Sequence, residues 1–405
     1  MNLLWGIFGI VVVLGIAFLL SSQRKAINYR TIFGGLAIQI LFAFIVLKWE
    51  AGRTALEWLT MGVQNIINYA SEGLTFVFGP LANAESPLGF IFAFQVLSII
   101  IFFSSLISVL YYLGIMQWFI KIIGGGLSKL LGTSKAESMS AAANIFVGQT
   151  EAPLVIRPFL EKMTKSELFA VMTGGLASVA GSVLVGYSLL GVPLEYLLAA
   201  SFMAAPAGLV LAKLMMPETE QSETAKSLEM EKDKEAVNVI DAAARGAGDG
   251  LTLALNVGAM LIAFIALIAL INGILGGIGG IFGYDALSLE SILGFVFSPI
   301  AFAIGVPWSE AVTAGSFIGQ KLVLNEFVAY SSFAPQIEQL TPKTVMVVSF
   351  ALCGFANLSS MAILLGGLGG LAPSRRPDIA KLGLRAVAAG MLASLLSAAI
   401  AGIFI

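Results

Sequence analysis

Two glutamates carry the strongest chemical signal in this chain: Glu151, in Gly148-Gln149-Thr150-Glu151-Ala152-Pro153, and Glu326, in Leu324-Asn325-Glu326-Phe327. Both lie within apolar sequence of membrane length. A carboxylate at bilayer depth costs roughly 2.5–3.5 kcal/mol on insertion scales, so it persists where it faces protein, water or a ligand and reads as functional. Two carboxylates can also divide acid and base roles in a hydrolysis. An intramembrane hydrolase using Glu151 and Glu326 is therefore the rival reading from a different class.

The elements that must hold these residues follow from composition. The 405 residues are 58% hydrophobic and 11% charged, with a mean hydropathy of +0.94, whereas soluble chains are about a quarter charged. The chain is a polytopic membrane protein. The net charge of −2 says nothing about partners when so few charges remain, but no basic domain or tail exists to bind a polyanion, and so no nucleic acid is expected. Histidine is absent, which removes the usual general base and the commonest transition-metal ligand. The one cysteine, Cys353, forms neither an intrachain disulfide nor a thiolate cluster. No Ser/His nucleophile is possible, which weakens the hydrolase.

Eight segments are long enough to cross about 30 Å of hydrocarbon: 3–20, 31–47, 90–113, 168–190, 196–215, 254–275, 345–368 and 386–405. The first has no basic residues before it and no cleavage pattern after it, so it reads as a retained span. Lysine and arginine set the orientation. With both termini outside, the cytosol receives Arg24, Lys25 and Arg30, the stretch 121–165, the loop 213–245, and Arg375, Arg376, Lys381 and Arg385. The outside receives Lys48, Arg53 and Lys343; Lys321 fits neither list. Segments 116–131 and 51–78 suit helices lying in the headgroup plane. Segment 292–304 is too short to span, and the charged stretch 217–235 reads as a cytosolic loop.

Residues 136–161 consist of small residues, then Gly148, then Pro153, with arms of ten to twelve residues about that centre. Such arms reach ~15–18 Å, half-way through the hydrocarbon, as in a re-entrant hairpin. A second such piece runs over 308–335, with Asn325-Glu326 at its centre. Each is followed by a span of unusual polarity, carrying Gly174, Gly175, Ser178, Gly181 and Ser182 in the first case and Gly354, Asn357, Ser359 and Ser360 in the second. A plain span then follows each. The lysines place the two hairpins on opposite sides, which makes the units an inverted repeat, the pattern of secondary transporters with a midplane site. The expected division is a three-span scaffold part over 1–115, an interfacial helix over 116–134, a first repeat over 135–215, a loop with span 6 and a short outer segment over 216–305, and a second repeat over 306–405. The expected fold class is thus all-α: about eight transmembrane helices, two re-entrant helical hairpins in an inverted repeat, and interfacial helices. Ordinary small-residue helix packing is the plainer reading of the glycines and serines, but it leaves the glutamates unexplained.

Three motifs, Gly148-Gln149-Thr150-Glu151-Ala152-Pro153, Asn325-Glu326-Phe327 and Gly354-Phe355-Ala356-Asn357-Leu358-Ser359-Ser360, together with 253–259 in span 6, resemble the concentrative nucleoside transporters in their compact bacterial form. The resemblance covers essentially the whole chain. It implies a homotrimer in the bacterial inner membrane that imports nucleosides down a cation gradient, with sodium as the coupling ion and no other cofactor.

A nucleoside is neutral and polar, so its site needs hydrogen-bonding groups without a cationic clamp. The resemblance places Gln149, Thr150 and Glu151 at the base, and Glu326, Asn357 and Ser360 at the ribose hydroxyls, with Val183 and Phe355 giving apolar contact. It places sodium on the side chains of Asn144 and Ser178 and the carbonyls of Val147 and Val179. Capping by Gln149 and Thr150, interhelical bonding by Asn357 and Ser360, and packing by Asn144 and Phe355 are the duller alternatives. A proton carried by Glu151 is the alternative to sodium. The motifs do not encode base size and so do not rank pyrimidine against purine nucleosides.

Overall fold

The computed structural model describes residues 2–83, 87, 89–225, 236–284 and 287–405. Residues 226–235 of the expected cytosolic loop lie outside this set. The described residues form sixteen α-helices and no strand. Helices α1 (Asn2–Leu19) and α2 (Tyr29–Leu47) are the first two spans, and α3 (Glu50–Phe78) is the long amphipathic helix after them. Helix α4 (Ser98–Tyr112), entered through a π turn at Ala93–Leu97, is span 3. Helix α5 (Ile115–Leu131) buries Met116, Ile120, Gly124, Leu127 and Leu131 and leaves Trp118, Phe119 and Ile122 exposed.

The first hairpin is α6 (Lys135–Ala143), a tip at 144–151 and a 3-10 arm, Ala152–Lys162. Span 4 is two helices, α7 (Lys165–Ala177) and α8 (Gly181–Leu189), and α9 (Leu194–Met215) is span 5. Helix α10 (Val239–Ile281) is span 6, and α11 (Leu289–Ala303) turns back through 116° into α12 (Trp308–Val323). The second hairpin is α12, a tip at Leu324-Asn325, and α13 (Glu326–Phe333). Span 7 is again two helices, α14 (Pro342–Leu352) and α15 (Ser360–Leu371), and α16 (Arg376–Ala401) is span 8. Among the described residues seven stretches are long and apolar enough to cross a membrane, the bent pair α11–α12 would make an eighth by length, and the halves of span 7, α14 and α15, are shorter apolar helices.

Three expectations about length are corrected. Span 6 is a single 43-residue helix rather than 254–275, or ~65 Å against ~30 Å of hydrocarbon. Its early turns carry Asp241, Arg245 and Asp249, which suppress hydropathy, while Ala242, Gly246, Gly250 and Ala254 recur on one buried face and continue the helix. Span 8 likewise begins at Arg376, ten residues before the apolar stretch at 386. The descending arm of the second hairpin, α12, is also longer than half-length, at 16 residues.

Burial separates an interior from a shell. The apolar windows of α7–α8, α9 and α16 are 94%, 89% and 83% buried, whereas those of α1 and α10 are 22% buried. The interior holds both halves of span 4 and the first half of span 7, α14; the shell presents apolar side chains outward, as lipid or a partner requires. At one end of the molecule arginines cap helix C-termini: Arg24 donates to Phe18 and Leu19, Arg30 to Lys129 and Leu130, and Arg385 to Leu20 and Met215. At the other end Asn2 donates to the Ile405 carbonyl at 2.6 Å and accepts from Lys343 at 3.1 Å, so both termini share one face.

The α4–α10 pair depends on small residues. A Cβ on Gly250 would meet Ile101 Cα and Ser104 Cβ at 2.8 Å, and Ser105 and Ser108 donate to Ala243 and Ala242 at 2.8 Å. Gly250→Leu is therefore expected to cost about 1–3 kcal/mol through overpacking and to lower the melting temperature in detergent. Gly248→Ala, which meets open space, should leave it unchanged or raise it.

Candidate functional site

The site is built where helices stop. Span 4 opens at Ser178–Ala180, between the Gly174-Gly175 pair and Gly181, and span 7 opens at Cys353–Ser359. Each opening frees backbone groups that hydrocarbon cannot satisfy. They satisfy one another: the Phe355 amide donates to the Ser178 carbonyl at 3.1 Å, so the two broken spans cross at their openings. Gly354 permits the approach, since a Cβ there would sit 3.0 Å from the Ala177 carbonyl oxygen. The hairpin tips close on the same crossing. The Gly181 amide donates to Phe146 of the first tip, and the Leu358 amide to Leu322 of the second hairpin, each at 3.0 Å.

A continuous polar chain runs through this crossing. Glu326, 6% exposed, accepts from Tyr187 Oη on Oε1 at 3.2 Å and from Asn357 Nδ2 on Oε2 at 3.1 Å. Asn357 Oδ1 accepts from the Ser360 amide at 2.8 Å and from Ser359 Oγ at 2.7 Å. Ser360 Oγ donates to the Phe355 carbonyl at 2.6 Å and receives a long bond, 3.5 Å, from Gln149 Nε2. The structure thus brings Gln149, Glu326, Asn357 and Ser360 together across 211 residues of sequence. Val183 is buried one turn before Tyr187 on the same face of α8, and Phe355 is half-buried at the crossing.

Thr150 and Glu151 stand apart from that chain. Thr150 turns its methyl toward α15, where a Cβ on Gly367 would meet it at 2.8 Å. Glu151 folds back on its own tip, accepting from the Gly148 amide at 2.7 Å. It is exposed to solvent, yet Tyr111 of α4 and Asp249 of α10 lie within electrostatic range. It faces outward beside α4 and α10 rather than meeting Glu326 in one closed chamber.

The groups expected to hold a cation form a second constellation between the first tip and the opening of span 4. Asn144, 1% exposed, spends its amide on the Ser140 carbonyl at 2.9 Å and leaves Oδ1 buried without a partner. Among the described residues the Val147 and Val179 carbonyls accept no hydrogen bond, and Ser178 Oγ donates to Gly174 at 3.0 Å, which leaves its lone pairs open. Unpaired buried oxygens at helix ends are the hard ligands an alkali cation takes.

Comparison with known proteins decides the family. Residues 196–402 match the family described as Na+ dependent nucleoside transporter C-terminus, 8–81 match its N-terminus, and 93–194 match a region described as Nucleoside recognition. The chain belongs to the sodium-dependent nucleoside transporter family. It is 64% identical over its full length to the uncharacterized transporter YutK of Bacillus subtilis, all of which is covered. It is 52% identical over 99% of its length to the nucleoside permease NupC of Helicobacter pylori, covering 98% of that protein. Human solute carrier family 28 member 3 is 40% identical over 98% of this chain, which spans 59% of that longer protein. The structure of CNTnw in an inward-facing substrate-bound state is 56% identical with a TM-score of 0.95, covering 100% of this chain and 98% of that one. A substituted CNTnw in an outward-facing state gives 0.97 at the same identity and coverage. The transporter therefore has the all-α, inverted-repeat fold read from its sequence, and it is a secondary transporter rather than an enzyme.

Sequence reasoning missed two side chains that hold the site of this transporter. Tyr187 lies 139 residues before its partner Glu326; the only signal was a tyrosine in a membrane-embedded half-span. Lys213, counted with the cytosolic loop, is buried in the last turn of α9 and pairs with Glu137 at 2.7 Å; its signal was a lysine closing an apolar helix. Tyr187→Phe deletes one of the two bonds to Glu326 with little change of volume. A hydrogen bond to a charged group contributes about 1.5–3 kcal/mol, so nucleoside uptake into proteoliposomes should fall about tenfold or more, and the melting temperature in detergent should drop by a few degrees.

Proposed function

We propose that the transporter imports nucleosides by symport on an inward sodium gradient. The observation that carries this reading is the chain Gln149–Ser360–Asn357–Glu326–Tyr187, which joins both hairpin tips at the helix crossing and offers donors and acceptors without a cation. A neutral ligand with hydroxyls at one end and an amide-like edge at the other fits such a set. Glu326, Asn357 and Ser360 take the ribose hydroxyls; Gln149, with Thr150 and Glu151 at the rim, takes the base; Val183 and Phe355 pack on the rings. A charged acceptor forms the stronger bonds, so Glu326 discriminates against deoxy analogues. The relatives named as nucleoside permeases support the substrate class.

Sodium binds at Asn144 Oδ1, Ser178 Oγ and the Val147 and Val179 carbonyls. Its binding orders the tip that carries Gln149, and the coupling is reciprocal, each ligand favouring the other by the same free energy. The moving unit holds the two hairpins and the two broken spans, and the α4–α10 pair is the fixed wall past which it carries substrate. The positive end, with Arg24, Arg30 and Arg385, faces the cytosol, and both termini face outward. The homotrimer implied by the family gives an occupant to part of the apolar face of α10, where Ile262, Ile265 and Leu270 are exposed.

The deciding experiment is uptake of radiolabelled uridine into proteoliposomes under an imposed sodium or proton gradient. Accumulation is expected with sodium; accumulation with protons alone would move coupling to Glu151. Glu326→Gln should reduce uptake by more than about tenfold, and Asn144→Ala should raise the sodium concentration required while sparing residual nucleoside binding. Native mass spectrometry is expected to give three times the 42.5 kDa chain mass.

A further inference from the structure

Lys321 takes no part in the site described above, yet it is the most deeply placed cation in the second hairpin. It lies on α12 and is 0% exposed. Its ammonium donates to the Ala351 carbonyl and to Ser394 Oγ, both at 2.7 Å. Ala351 belongs to the last turn of α14, where span 7 is about to open, and Ser394 to α16. Both partners are neutral. Glu326, engaged by Tyr187 and Asn357, and the Cys353 thiol are the titratable groups within electrostatic range. Packing alone at this depth would be served more cheaply by methionine, because an ammonium must be desolvated to sit there.

The internal repeat gives this lysine a counterpart. The bond from Gly181 to Phe146 ties hairpin 1 to the opening of span 4, and the bond from Leu358 to Leu322 ties hairpin 2 to the opening of span 7. Setting the two ties in register, Ala351 stands seven residues before Leu358 as Gly174 stands seven before Gly181. Lys321 stands one residue before Leu322, and Asn144 two before Phe146. In the first repeat Asn144 lies against Gly174, its Nδ2 3.4 Å from the place a Cβ there would take, with Oδ1 unpaired. In the second repeat the corresponding contact is Lys321 Nζ on the Ala351 carbonyl. Both places are the negative end of a half-helix, where a cation is favoured.

We propose that the Lys321 ammonium is a tethered cation, which does permanently between hairpin 2 and span 7 what the coupling ion does reversibly between hairpin 1 and span 4. Hairpin 2 is thereby held docked in every state, and the protein couples each nucleoside to one ion only. The proposal rests on the cation site of the first repeat and not on which cation fills it.

The test is the ion-to-nucleoside ratio of the wild-type protein in proteoliposomes, found as the sodium gradient that just balances a fixed uridine gradient. A ratio of one is expected, and a ratio of two overturns the proposal. Lys321→Asn installs the side chain found at Asn144 and vacates the position. Its sodium activation should steepen from a Hill coefficient of about one toward two. Lys321→Met, with no ion ligand, should lose more than about tenfold of its uptake at every sodium concentration. An unchanged Hill coefficient in folded Lys321→Asn, or normal uptake by Lys321→Met, would show the lysine to be packing and overturn the assignment. If neither variant folds, the wild-type ratio still decides. If sodium has no effect on the wild type, the sodium reading falls, and the same balance measured with a proton gradient keeps the two failures apart.

Discussion

Everything at the centre of this protein depends on one backbone hydrogen bond between two interrupted helices, from the Phe355 amide to the Ser178 carbonyl. A helix that stops within hydrocarbon leaves amides and carbonyls that water cannot reach, and an open end surrounded by lipid is not viable. The openings of spans 4 and 7 answer this by facing each other, and Gly354 keeps the crossing free of a side chain. The hairpins complete the arrangement, since Phe146 and Leu322 supply the carbonyls for Gly181 and Leu358. Hairpin 1, span 4, span 7 and hairpin 2 are therefore linked in one series by three backbone bonds. Lengthening any one of them into a continuous helix would leave its neighbour unsatisfied.

The same constraint produces the ligand sites as its remainder. Once the crossing has used its amides, oxygens are left over: Asn144 Oδ1 and Gln149 Oε1 are buried without partners, and the Val147 and Val179 carbonyls accept nothing from the described residues. A buried acceptor without a donor is costly, and a ligand relieves that cost where another side chain would only fill the space. Around this series the contacts change character. Inside it they are polar and specific; where α8 and α13 meet span 3 they are apolar, with Gly186 against Val96 and Phe92 edge-on to Phe327 at 6.0 Å. An apolar face can slide without breaking hydrogen bonds.

How much of this was legible in the sequence follows the range of each interaction. The openings were readable because glycine, serine and proline in apolar segments are local marks, and they located hairpins and broken spans; it was the family resemblance that pointed to Gln149, Glu326, Asn357 and Ser360 together. The length of α10 was not, because a hydropathy window registers apolarity, and Asp241, Arg245 and Asp249 lower it over turns that Gly246 and Gly250 keep packed. The role of Tyr187 was hidden since a bond spanning 139 residues leaves no periodic trace. The separation of Glu151 from Glu326 was hidden as well. Both lie near hairpin tips, but Glu151 turns onto the Gly148 amide and out to the surface, a choice made by three residues of local geometry.

The two ends of hairpin 1 differ in what holds them, and the difference determines which end a ligand can move. At the root, Glu137 pairs with the buried Lys213 at 2.7 Å, Lys213 donates to Ser166 at 2.9 Å, and Glu167 accepts from Ser222 and Thr224 of the segment that follows α9. Breaking a buried ion pair costs about 3–5 kcal/mol, because one charge is left uncompensated. At the tip the ties are single neutral bonds, Gly181 to Phe146 and Ser201 to Ile145, each contributing about 0.5–1.5 kcal/mol net. A ligand that binds one state about tenfold better than the other shifts their balance by about 1.4 kcal/mol. That matches a tip bond and falls short of the root pair, so a bound ion or nucleoside has the strength to set the tip and leaves the root in place. Hairpin 1 is in this sense a lever with a charged anchor, and its free end is the one that carries the unpaired oxygens.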